Sequence, residues 1–270
     1  MKKIIVILSI ILLAFFVGFI CGNFFSRQQK QEVTRPNQGF IFRGDFLSRQ
    51  LKYERVKDAF ENKKNIILQN LNNSNIKSIN IIIVAYKSES ILEIYAKSKQ
   101  DSIYQKIISY PICSRSGKLG PKRQSGDNQV PEGFYYIDRF NPRSKFFLSL
   151  GIDYPNNSDK IKSKAQDLGG DIFIHGSCKT EGCIPMTDDK IKEIYMYAVF
   201  ARNNGQTKIP VYIFPFRMNS PNWENYKRKY LNNKELFKFW ENLRIGYIKF
   251  EKNKRELGVT IDINGEYKFK

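Results

Sequence analysis

Two isoleucine-rich runs, Ile79–Tyr86 and Ile91–Ala96, commit the centre of the chain to a β-sheet. β-Branched and aromatic side chains at this density suit a pleated, buried surface. The four residues between the runs, Lys87-Ser88-Glu89-Ser90, predict a hairpin with a short loop. Further strands are predicted at Ile107–Ile112, Gly133–Asp138, Lys145–Leu150, Ile172–His175 and Ile209–Phe214. Between them Ser114–Gln129, dense in Gly, Ser, Lys and Arg, reads as a long loop, and long loops in compact domains tend to carry function. Helices occupy the flanks. Val56, Phe60, Ile67 and Leu71 recur at helical spacing, which predicts a helix over about Phe46–Asn72 that stops at Asn72-Asn73-Ser74-Asn75. Thr187 is placed to cap a second helix, with Asp188 and Asp189 in its first turn and an apolar stripe of Ile191, Ile194, Tyr195, Ala198 and Val199. The fold class predicted is mainly β with peripheral helices, an α+β chain.

At 270 residues the chain can bury one good core with attachments, or two small ones. Its N-terminus sets the compartment. Lys2 and Lys3 precede an apolar run from Ile4 to Cys21 whose one polar member is Ser9, which predicts a membrane-crossing segment with its start in the cytoplasm. No A-x-A-like site follows at Gly22-Asn23-Phe24-Phe25, so the favoured reading is a retained anchor, with a cleaved signal peptide as the alternative. The formal net charge of +19 attracts polyanions, and export leaves an anionic membrane surface or cell wall as its targets and excludes nucleic acid. The divisions expected are a signal-anchor at 1–25, a linker and helical segment at 26–78, a catalytic domain at 79–218, and a C-terminal extension at 219–270. That extension reads as a charged helix over Trp223–Leu243 and two short strands around Asn264-Gly265.

Outside the anchor stand Cys113, Cys178 and Cys183, an odd number in a disulfide-permissive compartment, so at least one thiol is spare. The segment Gly169–Thr187 supplies its use. An apolar strand ends at His175, the sole histidine of the chain, Gly176 turns the backbone, and a short polar loop presents Gly182-Cys183 before the helix. A cysteine nucleophile needs an imidazole to manage its proton, so any Cys–His pair here includes His175. Gly182 lets backbone approach a substrate carbonyl, and its N–H with that of Cys183 can form an oxyanion hole. Thr180 lends its hydroxyl to this loop or caps a turn. A carboxylate or a backbone carbonyl near Gly176 or Ser177 could orient the imidazole. A metal held by His175, Cys178 and Cys183 lacks a fourth ligand and the usual C-x₂-C spacing, so no metal or organic cofactor is expected.

The run Ile-His-Gly-Ser-Cys-Lys-Thr-Glu-Gly-Cys-Ile-Pro-Met-Thr at 174–187 resembles the active-site signature of the L,D-transpeptidase (YkuD-like) catalytic domain, in the form of its YafK-like branch. Gly117-Lys118-Leu119-Gly120-Pro121-Lys122, Gly126-Asp127-Asn128-Gln129-Val130-Pro131-Glu132-Gly133-Phe134-Tyr135 and Ile209–Met218 are similar to that branch too, so the resemblance covers roughly residues 80–218. It implies a β-sandwich catalytic domain. It also implies a cysteine acyltransferase that attacks the bond after the third residue of a peptidoglycan stem peptide, with a Cys183 thioester and D-Ala leaving. Pro185 departs from the pattern, because many members carry Arg or Asn there. The branch also contains hydrolases of peptidoglycan crosslinks or protein attachments, so hydrolysis stays open beside transfer, as does a catalytically inactive wall-binding module. Partners implied are stem peptides, the membrane through the N-terminal helix, and a wall-attached protein as an optional acceptor. Lys122 and Arg123 are candidates to hold stem-peptide carboxylates and Asp127 an amine, against the competing reading of a solvated loop. The turn residues Gly176 and Ser177 complete the substrate-binding set. Cys113 and Cys178 either form a disulfide that pins the Gly-rich loop to the active-site loop or remain two free thiols.

Overall fold

A computed structural model describes residues 44–270. The anchor expected at 1–25 lies outside the described residues, and no helix within them is long and apolar enough to cross a membrane. The described chain opens with α1 (Phe46–Gln50) and α2 (Glu54–Asn73), then strands β1 (Ile79–Tyr86), β2 (Ile91–Ser98), β3 (Gln105–Pro111), β4 (Gly133–Asn141) and β5 (Ser149–Ile152). Next come α3 (Asn157–Lys162), β6 (Phe173–His175), β7 (Ile184–Pro185), α4 (Asp188–Asn203) and β8 (Pro210–Phe214). The C-terminal part adds α5 (Ser220–Lys229), α6 (Lys234–Asn253) and the hairpin β9 (Val259–Ile261) and β10 (Tyr267–Phe269).

Eight strands form one mixed sheet in the order β3-β2-β1-β8-β4-β5-β6-β7. The mixed sheet with its helices is consistent with the α+β fold expected, and β4 changes partners along its length. Gly133–Tyr136 pair with β8, and Ile137–Asn141 pair with β5 across a bulge. β1 and β8 run parallel, as do β6 and β7, and the other neighbours are antiparallel.

The apolar run Ile81–Tyr86 of β1 has a simple cause: both faces are buried. Ile79, Ile81, Ile83 and Ala85 face a core shared with Val56, Ile67 and Leu71 of α2 and with Ile191, Ile194 and Ala198 of α4. Ile82, Val84 and Tyr86 face a second, aromatic core closed by Trp240, Leu243, Tyr247 and Phe250 of α6. A strand covered on both sides reads as a continuous hydrophobic run instead of an alternation. α4 is covered almost all round, and Thr187 caps it by accepting the Lys190 N–H at 3.3 Å.

The single helix expected over Trp223–Leu243 is two. The break at Tyr230–Asn233 has a local reason, since the Asn233 side chain accepts the Leu236 N–H at 3.1 Å and restarts the helix as an N-cap. Likewise the helix expected over Phe46–Asn72 divides between α1 and α2. The buried Asn203 at the end of α4 accepts the Leu47 N–H at 2.9 Å and ties α1 to the core.

Candidate active site

β6 brings His175 to a buried position beneath the Phe146 ring, with ring centroids 4.5 Å apart. Its Nδ1 lies 2.5 Å from the Gly176 carbonyl oxygen. A carbonyl can only accept, so Nδ1 carries the hydrogen and Nε2 keeps its lone pair. Backbone therefore does the orienting that a carboxylate would do in a triad.

The chain then makes a tight turn. A Cβ on Gly176 would fall 2.6 Å from an Asp188 carboxylate oxygen and 2.7 Å from the Phe146 carbonyl, so a side chain is excluded there. Ser177 follows with φ +65, its N–H donating to Asp188 Oδ1 at 2.8 Å. Cys178 is bonded to Cys113, with Cα atoms 5.5 Å apart, which links this turn to the segment after β3. The Cys113 N–H also donates to the Pro185 carbonyl at 3.1 Å, so that segment and β7 are held together twice.

Thr180 Oγ1 donates to the Cys183 carbonyl at 2.8 Å and braces the loop from inside. Gly182 has φ +122, and a Cβ there would stand 3.0 Å from the Gln129 carbonyl. β7 then runs parallel to β6 with Ile174 opposite Ile184 and His175 opposite Pro185. Cys183 therefore stands beside Phe173. Because side chains alternate along a strand, Phe173, His175 and Cys183 share one face of the pair. The thiol is half-buried, accepts the Phe173 N–H at 3.4 Å and lies 3.6 Å from the Asp171 carbonyl.

Electrostatics favour neutral forms of both groups at rest. Burial pushes the Cys183 thiol up, the Phe173 N–H and the charge of Lys122 work against that, and the Asp171 carboxylate adds to it. Burial likewise lowers the His175 imidazole, partly countered by the Gly176 carbonyl. At rest the two are therefore a thiol and a free base on one face of the strand pair.

In front of Cys183 opens a cavity of about 330 Å³. Cys183 and Ile184 form part of its lining with the end of β1, the Ser114–Leu119 loop, Val130, Tyr226 and Lys229 of α5, and Tyr230 at the C-cap of that helix. A larger cavity, about 590 Å³, lies between the Leu119–Gln124 segment and α6; Cys183 does not line it.

Residues 80–213 match the YkuD family, described as the L,D-transpeptidase catalytic domain. Over 189 residues the chain is 37% identical to YafK of Escherichia coli strain K12, a protein provisionally named an L,D-transpeptidase, covering 69% of this chain and 72% of that one. The chain belongs to the L,D-transpeptidase family. The YafK of Escherichia coli O157:H7, under the same provisional name, matches with the same identity and coverage. Among solved structures, the helical cell shape determining protein Pgp2 of Campylobacter jejuni is similar at 20% identity and a TM-score of 0.40, covering 68% of this chain and 73% of that one. Its K307A mutant matches at 25% identity and a TM-score of 0.40, over 52% of this chain and 49% of the other.

Within this member of the L,D-transpeptidase family the charged residues singled out in the sequence have internal partners. Lys122 is buried, donates to Asp127 Oδ1 and to the Gln124 carbonyl, each at 2.7 Å, and packs on the Tyr154 ring. Asp127 also accepts the N–H groups of Arg123, Gln124 and Gln129. Arg123 pairs with the buried Asp159 at 2.9 Å and lies over the Phe239 ring. None of the three lines the Cys183 cavity; Arg123 lines the larger one. A loop this rich in hydrogen-bonding groups uses its charges to fold itself, which spacing alone does not reveal. Gly176 and Ser177 shape the turn and also stay outside the cavity lining. Sequence reasoning missed Phe146, Asp188 in its bond to Ser177, and the α5 residues of the cavity. Phe146 and the α5 residues carry no local signal, being brought to the site only by the tertiary fold.

Proposed function

We propose that this chain is a cysteine acyltransferase that works on peptidoglycan stem peptides at the bond after the third residue. The observation that supports the reading is the parallel β6–β7 register, by which Cys183, part of the cavity lining, shares one face of the strand pair with the buried His175. His175 Nε2 takes the Cys183 proton, and the sulfur attacks the carbonyl carbon of the third residue. The N–H groups of Gly182 and Cys183 receive the oxyanion. The carbon–nitrogen bond breaks, the imidazolium returns its proton to the departing D-Ala amine, and a thioester remains. An acceptor amine, from a second stem peptide or a wall-attached protein, then loses its proton to His175 and displaces the thiolate. Water in place of the amine would make the same site a hydrolase. The apolar run after Lys2 and Lys3 supports action outside the cytoplasmic membrane, held there by residues 1–25 or released from them.

The test uses full-length protein in detergent micelles with a purified disaccharide tetrapeptide and an amine acceptor, followed by mass spectrometry. Exchange of D-Ala for the acceptor, absent in Cys183→Ala, is the expected result. Loss of D-Ala without exchange would assign hydrolysis, and identical unaltered substrate with both proteins would remove the catalytic assignment.

A further inference from the structure

We propose that α5 builds the recognition wall of the Cys183 cavity, and that Lys229, with Arg115 and Lys118, seats a substrate carboxylate close to the attacked carbonyl. The inference rests on the acyl-transfer reading and deepens it by naming what the site recognises.

Position is the first support. Tyr226, Lys229 and Tyr230 line the same cavity as Cys183, although more than forty positions separate them in the chain. Their placement is enforced. The Tyr226 hydroxyl is hydrogen-bonded to the Ser88 hydroxyl in the β1–β2 turn, and its ring stacks on Phe216 at 3.8 Å. Tyr230 packs edge-on against Trp240 at 4.9 Å. Trp240 Nε1 in turn donates to Glu132 Oε2 at 2.8 Å, and Glu132 Oε1 accepts both Lys87 Nζ at 2.9 Å and the Gly120 N–H at 2.7 Å. The wall is thus fastened to the loop and strand that form the rest of the cavity.

Charge is the second. Among the described residues no acidic side chain lines this cavity, whereas four basic ones do. Lys87 is already spent, donating to Glu132 and to the carbonyls of Gly120 and Val130. Arg115, Lys118 and Lys229 form no ion pair among the described residues, and all three are exposed at the rim. A cavity edged by three uncompensated cations selects an anion. The third support is Ser116, which also lines the cavity and whose buried hydroxyl lacks a partner among the described residues. A buried hydroxyl without a partner is costly, and a substrate oxygen would satisfy it. Because Cys183 is itself part of the lining, the recognised carboxylate sits within a residue or two of the carbonyl under attack.

The experiment measures binding apart from turnover. Full-length Cys183→Ala protein in micelles is titrated calorimetrically with the disaccharide tetrapeptide ending in a free carboxylate, and with the same compound ending in a carboxamide. The acid binds more tightly, by roughly five- to tenfold, as for a charge-assisted contact at a partly exposed site. K229Q or R115Q, each added to Cys183→Ala, narrows that gap at least about threefold. K227Q, on the same helix but outside the cavity lining, leaves it unchanged. Equal affinities for acid and amide, no detectable binding of either, or a gap that survives both K229Q and R115Q overturns the assignment. Wild-type turnover of the tetrapeptide is scored separately, so a failure of the chemistry is distinguished from a failure of the recognition wall.

Discussion

His175 and Cys183 are both driven towards their neutral forms by burial, and on the acyl-transfer reading proposed above this decides how the two must work. A thiol raised above its ordinary range is a poor nucleophile until a base takes its proton. An imidazole lowered below its ordinary range keeps its lone pair at neutral pH and below. The sign follows directly: activity requires the neutral imidazole, so turnover rises as pH climbs through the depressed His175 value, and the acid limb of kcat/KM lies below about pH 6.5. Alkylation of Cys183 by iodoacetamide in the resting enzyme rises only in the alkaline range. Both profiles can be followed by mass spectrometry. A plateau of alkylation extending down to pH 5 would instead mean a resting thiolate–imidazolium pair, and the neutral-pair account would fall. His175→Asn lowers kcat by roughly 10²–10⁴-fold, the usual worth of a positioned base, with KM little changed. A comparable rise in KM alone would mean that the ring only shapes the site.

At the scale of elements, the Cys113–Cys178 bond and β7 do complementary work. The disulfide closes a loop of 65 residues that contains the Gly-rich loop, β4 and β5, and it fastens the turn after His175 to the segment after β3. Loop closure of this length is worth about 2–4 kcal/mol. Cys113→Ser with Cys178→Ser lowers the thermal midpoint by several degrees and reduces kcat more than it raises KM. Reductant lowers the midpoint of wild type but not of the double variant; equal sensitivity of both would break the argument. The elements that could be read from the sequence are those whose pattern is local. Ile79–Tyr86 announces a strand and Thr187-Asp188-Asp189 a helix start. β7 could not be read, because Ile184-Pro185 is too short to show any period and exists only through its pairing with β6. Nor could the tasks of Lys122 and Asp127, since a charge in a sequence does not say whether its partner is a substrate or the residue five places away.

At the scale of the whole molecule, the C-terminal extension is the second cover of the sheet. Ile82, Val84, Tyr86, Tyr95, Phe134, Tyr212 and Phe214 are buried on the face that α6 and the β9–β10 hairpin close. Specific ring contacts span the junction: Tyr95 meets Phe250 at 5.1 Å, Phe214 meets Tyr247 at 5.3 Å, and Phe134 meets Tyr267 at 5.0 Å. Each buried side chain of this size is worth roughly 1.5–3 kcal/mol, so uncovering the set costs on the order of 10–20 kcal/mol. Whole domains are stable by about 5–15 kcal/mol, so the loss exceeds or matches the total. A chain ending at Met218 therefore lacks a cooperative thermal transition and binds a hydrophobic dye such as ANS, even though it retains Cys183, His175 and every strand of the main sheet. Calorimetry and dye fluorescence of the truncated and full-length proteins check this. Cooperative melting of the truncated chain would mean that the aromatic face is tolerated in water, and α5 would then be an appendage to the catalytic sheet. Without such melting, the helices that line the cavity and the helices that hold the sheet together are one device, so substrate recognition and stability change together in this part of the molecule.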